Sequence, residues 1–442
     1  MRIVLVTPGA SGEFYCENCL RDGALVFALR RLGHDAAMAS LYLPLRREVA
    51  EAAAGTPGVF FGGVNVYLQQ HTKLFRRTPR WVDRLLDSKP MLRLAAKLAS
   101  RTGAGQLGAE TISMLRGPRG RQEKELRRLT DWLATDRADV VCLSNALLAG
   151  LAGEIRRRTG SAVVCLLEGE DQFLDALAER YRDRAWELLA RQAREIDAFI
   201  VVSGYFAEVM ISRLDLDSAR VHVCHSGIDP EGYSPPGGDP KAEVSALGTP
   251  VRPAPPVIGF LSPASPSRGF DLLVEAFLRL REQERFRGVR LWAAGGHPAA
   301  DRDFVRSVRR RLARAGAEAD ARLLPNLDRP QRQAFLRTLS VLAVPGRYPE
   351  PFGLYALEAM ASGVPVVGPS HGGLPEILAK GGGRLCKPDD VESLTQVLAE
   401  VLGDETAAAE IGRRGRRNLL ENFTADRAAG RVSAVLSELV GR

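Results

Sequence analysis

Residues 345–378 read PGRYPEPFGLYALEAMASGVPVVGPSHGGLPEIL, and they follow an apolar run at 341–344. The spacing predicts a strand, a loop punctuated by glycine and proline, a helix over 354–362, a short strand at 364–367 and a second glycine loop ending at Glu376. In an open α/β sheet, loops that leave strand ends and run into helix N-termini hold phosphates and hydroxyls, because unpaired backbone N–H groups converge there. Two carboxylates flank that place: Glu350 in the loop and Glu358 eight residues later in the helix. A carboxylate accepts paired hydrogen bonds from neighbouring hydroxyls, so the two suit a sugar ring and a ribose on either side of a phosphate.

Glu-x7-Glu alone carries little information. In its setting of Pro-Glu-Pro-Phe-Gly, a small-residue helix, Gly-Val-Pro-Val-Val and Gly-Gly-x-x-Glu, the stretch resembles the hallmark of retaining glycosyltransferases of family 4. The resemblance implies an α/β chain of GT-B fold, with two Rossmann-like domains facing each other across a deep interdomain cleft. It implies that Glu350 faces the hydroxyls of a donor sugar and that Glu358 binds the nucleotide ribose. Phe352, Gly353, Gly372, Gly373 and Leu374 would approach the donor.

At 442 residues the chain exceeds what a single core supports, so two domains are expected. The boundaries read as 1–233 for an acceptor-side domain with an atypical insertion at 70–130, 234–256 for a proline- and glycine-rich linker, and 257–425 for a nucleotide-sugar domain. Segment 426–442 reads as a final helix that crosses back to the first domain, as in relatives. A composition of 45% hydrophobic and 26% charged residues fits a globular chain, and no apolar run reaches membrane-span length. The expected location is cytoplasmic.

The net charge of +8 suits a phosphate-bearing donor, an anionic membrane face or nucleic acid. The excess is mostly arginine on helices, as at 306–314 and 413–417, which reads as solvated faces. No recognition element for nucleic acid accompanies it. Six scattered cysteines fit a reduced compartment. Cys16 and Cys19 form a C-x-x-C without the further ligands a zinc site needs, leaving a redox role or simple packing.

Residues 2–7 read as a buried strand, followed by the loop Pro8-Gly-Ala-Ser-Gly12 and a helix over 19–32. Gly12 is the loop's candidate donor contact, although the loop also reads as a plain turn. Segment 81–101 is basic and amphipathic, divided by Pro90. It suits either a cap over the acceptor or, from 76 to 101, peripheral contact with the inner membrane face.

The strand at 163–167 delivers Glu168-Gly169-Glu170-Asp171, a cluster that suits a base for the acceptor hydroxyl, with Glu170 the candidate. The plainer reading is a solvated helix start capped by Asp171. At 142–145, where relatives carry a histidine beside the transferred sugar, this chain has Cys142, Ser144 and Asn145.

The second domain opens with a strand at 257–261 and the loop Ser262-Pro-Ala-Ser-Pro-Ser-Arg268-Gly269. Relatives place two cations there against the donor pyrophosphate. Arg268 matches the second, and Pro263 occupies the first. Gly295 in Ala-Gly-Gly-His matches the turn after the next strand, and Asn326 lies where the family contacts the donor base.

The resulting expectation is a retaining transfer from a nucleotide sugar, UDP-linked by weak preference, to a small-molecule, glycan or lipid-linked acceptor. Arg268 and backbone N–H groups would stabilise the leaving diphosphate without a metal or other cofactor. The protein would act as a monomer or homodimer. Alternatives on the same scaffold are a weakened binding or partner subunit and a transferase or phosphorylase using sugar phosphates.

Overall fold

The computed structural model describes residues 1–9, 17–42, 51–53, 56, 60, 107–235, 255–297 and 301–441. The chain divides into two compact units. One comprises Met1–Ser11, Cys16–His225 and Ala425–Arg442, and the other Gly12–Tyr15 and Ser226–Thr424.

The first unit is a parallel sheet of β1 (Arg2–Thr7), β2 (Asp35–Ser40), β3 (Val140–Leu143), β4 (Ala162–Leu167), β5 (Ala198–Val201) and β6 (Val221–Val223), in the order β2-β1-β3-β4-β5-β6. Its strands read as continuous apolar runs because helices cover both faces. Val4, Val6, Val141 and Leu143 enter one core, and Ile3, Leu5, Val140 and Cys142 the other. Helix Ala425–Val440 joins the second core through Ala425, Ala429, Val432 and Leu436, a stripe of helical period. It meets helix Glu17–Arg31 there, and Arg31 pairs with Asp426 at 2.6 Å.

The second unit carries β7 (Val257–Leu261), β8 (Arg290–Ala294), β9 (Ala321–Leu323), β10 (Val341–Ala343), β11 (Val366–Pro369) and β12 (Gly383–Cys386), all parallel. The order β12-β11-β10-β7-β8-β9 grows outward in both directions from β7 and β10. At such a switch point the loops leaving adjacent strands part to opposite faces, which opens a crevice at the carboxyl edge.

Two sequence expectations shift. Residues 226–233, assigned to the first domain, group with the second unit. Arg329 Nη2 donates to Asp229 O at 3.1 Å and to Glu231 O at 2.9 Å, and Ile228 bridges Thr424. The final helix expected at 426–442 runs Ala425–Val440, set off from helix Glu405–Asn422 where the Phe423 ring packs edge-on against Phe352. The strand expected at 364–367 runs Val366–Pro369. Most of the 234–256 linker, the 76–101 segment, Gly12 and Cys16 lie outside the described residues.

Candidate functional site

Five loops at the carboxyl edge of the second sheet are stitched together by their own backbones. Ala264 N–H donates to Gly296 O at 3.0 Å, Gly295 N–H to Pro325 O at 3.4 Å, Arg347 N–H to Ser267 O at 2.9 Å and Gly373 N–H to Glu350 O at 2.8 Å. Arg347 locks the arrangement with a two-pronged bond to Asp271 at 2.8 and 2.9 Å and a third bond to Asp389 at 2.7 Å. These acids hold its guanidinium pKa above the ordinary arginine value, chiefly through the Asp271 hydrogen bond. Its charge is therefore spent within the scaffold.

Arg268 leaves β7 and Glu350 leaves β10, one on each side of the switch point, and the guanidinium Nη1 contacts the carboxylate Oε1. Their side chains are 23% and 14% exposed. Gly372 and Gly373 lie directly against the Glu350 backbone, and at Gly372, with φ of 67°, a side chain would have to enter it. His371, just before them, is pushed below the ordinary imidazole range by burial. Leu374 is buried. Phe352 is also buried, and its ring packs edge-on against Phe423. Gly353, with φ of 112°, starts helix Leu354–Ala361.

Glu358 sits in that helix but is only 2% exposed. Its Oε1 accepts from Tyr233 Oη at 2.5 Å and from Arg332 Nε at 3.0 Å. One oxygen of the carboxylate expected to meet the ribose is thus already engaged by the protein. Nothing in the sequence marked Tyr233 or Arg332 as partners, since each is a single polar residue in an ordinary amphipathic or loop context. Arg416 was read as solvated, yet it donates to Tyr233 O at 2.9 Å and to Ala361 O. Arg413 and Arg414 are solvated as expected.

Beyond β8 and β9, Asn326 borders a cavity of about 400 Å³ lined also by Ser262, Ala264, Gly296, His297 and Arg309; Gly295, one residue before Gly296, is not in its lining. Its size suits a flat heterocycle, and Asn326 adds an amide at its edge.

In the first unit, Glu170 is buried in the first turn of helix Glu170–Asp175. Its Oε1 accepts from Ala146 N–H at 2.8 Å, and its Oε2 from Glu168 N–H at 2.9 Å and Gly169 N–H at 3.0 Å. Burial pushes this carboxyl up to about 7 despite those bonds. Gly169, not Asp171, occupies the cap position, so the capping role read for Asp171 is corrected. Arg21 contacts both Asp22, at 2.6 Å, and Glu168, with all of these side chains buried. Burial also raises the Asp22 carboxyl. Among the described residues no cluster of three or more His, Cys, Asp or Glu side chains is placed to hold a metal, and no helix is long and apolar enough to cross a membrane.

Residues 249–418 match the family described as Glycosyl transferases group 1, and residues 61–231 match Glycosyltransferase Family 4. The chain is similar to a D-inositol 3-phosphate glycosyltransferase of Jonesia denitrificans, 32% identical over 50% of this chain and 51% of the relative. The chain spans about half the length of most of the curated relatives it matches. The match to the protein of that name from Mycobacterium marinum is longer, 26% identical over 92% of this chain and 86% of the relative. Among solved structures, Anabaena HepE in complex with UDP and glucose superposes with a TM-score of 0.67 at 17% identity, covering 99% of both chains.

Proposed function

We propose, from the premise that the chain belongs to the family-4 type of glycosyltransferases with the two-domain GT-B fold, that it moves a sugar from a nucleotide sugar to an acceptor hydroxyl with retention of configuration. The observation that carries the reading is the meeting of Arg268 and Glu350 over the Gly372–Gly373 loop at the switch point of the second sheet. In this reading the donor diphosphate lies on Arg268 and the loop N–H groups, which stabilise charge on the departing phosphate in place of a metal ion. Glu350 orients the sugar through its hydroxyls.

The bond between the anomeric carbon and the phosphate oxygen breaks, and the acceptor oxygen forms the new bond on the same face. The acceptor proton passes to the leaving phosphate. The ribose is read at Glu358 and the base at the Asn326 cavity. UDP is the first nucleotide to test, supported by the ligand of the Anabaena structure, and inositol 3-phosphate the first acceptor, supported by the names of the relatives.

Titration calorimetry with UDP, GDP and ADP, followed by NMR of the anomeric centre in product, tests the reading. Binding of one nucleotide and an axial or equatorial linkage identical to that of the donor is the expected result. Absence of binding to all three removes the donor model, and an inverted linkage removes retention.

A further inference from the structure

We propose that Arg332 is a positioning residue that fixes the Glu358 carboxylate and the 325–327 loop to one another, so that ribose and base are recognised as one rigid unit. The proposal rests on the donor reading above and deepens it.

Arg332 is 2% exposed, as is Glu358. Its Nε donates to Glu358 Oε1 at 3.0 Å, and its Nη1 donates to Leu327 O at 3.0 Å. The planar guanidinium presents its donors at fixed angles, so a single side chain sets the distance between the helix that carries Glu358 and the loop that carries Asn326. Tyr233 Oη holds the same carboxylate oxygen from the other chain segment, which fixes its rotation.

The base of the strut is itself rigid. Helix Arg329–Arg337 starts with a reciprocal capping box between Asp328 and Gln331, and Arg332 N–H closes onto Asp328 O at 2.8 Å. The 325–327 loop in turn accepts from Gly295 N–H, so the strut reaches the rim of the 400 Å³ cavity. A buried ion pair adds little stability over an apolar pair of the same shape, and its attested use is to enforce one geometry. Here the geometry enforced is the spacing between the two sites that would read a nucleoside.

The test is calorimetry with UDP, 2′,3′-dideoxy-UDP, GDP and ADP on the full chain, comparing wild type with Arg332→Met, Arg332→Lys and Tyr233→Phe. Wild type is expected to prefer UDP over the dideoxy analogue by about tenfold or more, since a site built around a hydroxyl is left unsatisfied without it. Arg332→Met should bring that preference to within about twofold, with UDP weakened more than the analogue. Arg332→Lys, which retains the charge but cannot span both acceptors, should keep the ribose preference and lose selectivity among bases. Tyr233→Phe should reduce the ribose preference alone.

A loss of affinity equal for UDP and its dideoxy analogue in Arg332→Met would reduce Arg332 to a stability role and overturn the proposal. If that variant fails to fold, wild-type base selectivity in Arg332→Lys overturns it equally. Failure of wild type to bind any of the nucleotides removes the donor reading itself, whereas a wild-type ribose preference that Arg332→Met leaves unmoved removes only the strut.

Discussion

Arg268 and Glu350 neutralise one another across the point where the second sheet reverses its strand order. In the proposed reaction a diphosphate settling on Arg268 would compete with a carboxylate already there and release Glu350 toward the sugar. Glu350→Gln should thus tighten UDP binding by about three- to tenfold by freeing the guanidinium, while slowing transfer by about 10² or more. Calorimetry beside initial rates checks both halves; weaker UDP binding in this variant would mean that the pair does not lie in the phosphate's path.

Arg268→Ala removes the cation that the proposed reaction places at the leaving group. Turnover should fall by about 10² to 10³, the range for losing one preorganised donor to a developing anion. Because the side chain is part-exposed, thermal stability should change little. Undiminished turnover would take Arg268 out of the mechanism.

Gly372→Ala places a methyl group against the Glu350 backbone at a φ of 67°. The strain and the displaced loop should lower stability by about 1–3 kcal/mol and abolish detectable UDP binding. A thermal melt and a binding isotherm on the same preparation separate the two effects, and wild-type affinity would show that the glycine loop does not approach the donor.

Glu170 titrates near 7 because burial disfavours its charge. Its folded pKa lies above the ordinary carboxyl value of 4.5, so its protonation stabilises the native state fully below that value. The contribution is lost as pH rises through about 7. The difference in unfolding free energy between wild type and Glu170→Gln should therefore shrink by roughly 2–4 kcal/mol between pH 4.5 and pH 7.5. Denaturant melts at several pH values measure it, and a difference that stays level would show a carboxylate ionised throughout.

Cys142, Cys165, Cys224 and Cys386 are buried thiols. Burial pushes Cys142 up to about 12, Cys224 and Cys386 up to about 11, and Cys165 well above its ordinary value. With so little thiolate at pH 8, all four should resist iodoacetamide in the native protein and react once urea unfolds it, as peptide mass spectrometry reads directly. Rapid native labelling at any of them would reveal local opening.

The order of elements was legible along the chain because local rules govern it. An unbroken apolar run such as 257–261 has few outcomes other than a strand buried on both faces, and the glycines at 269, 353 and 372 mark turns that bulkier residues resist. The Glu350 loop and the family resemblance it carries were legible for the same reason: they occupy consecutive positions. Partnerships between distant residues were not. Arg332 looks like any arginine on an amphipathic helix, and Tyr233 like the last residue before a linker, until folding brings both to Glu358. Glu170 likewise looked solvated or catalytic in sequence, and only the approach of the Ala146 backbone, 24 residues away, made it a buried acceptor. Sequence by itself determined most of the strands and turns and which residues the loops carry to the carboxyl edge. Tertiary structure alone decided which charges face one another, because burial and pairing depend on neighbours that the linear order does not bring together.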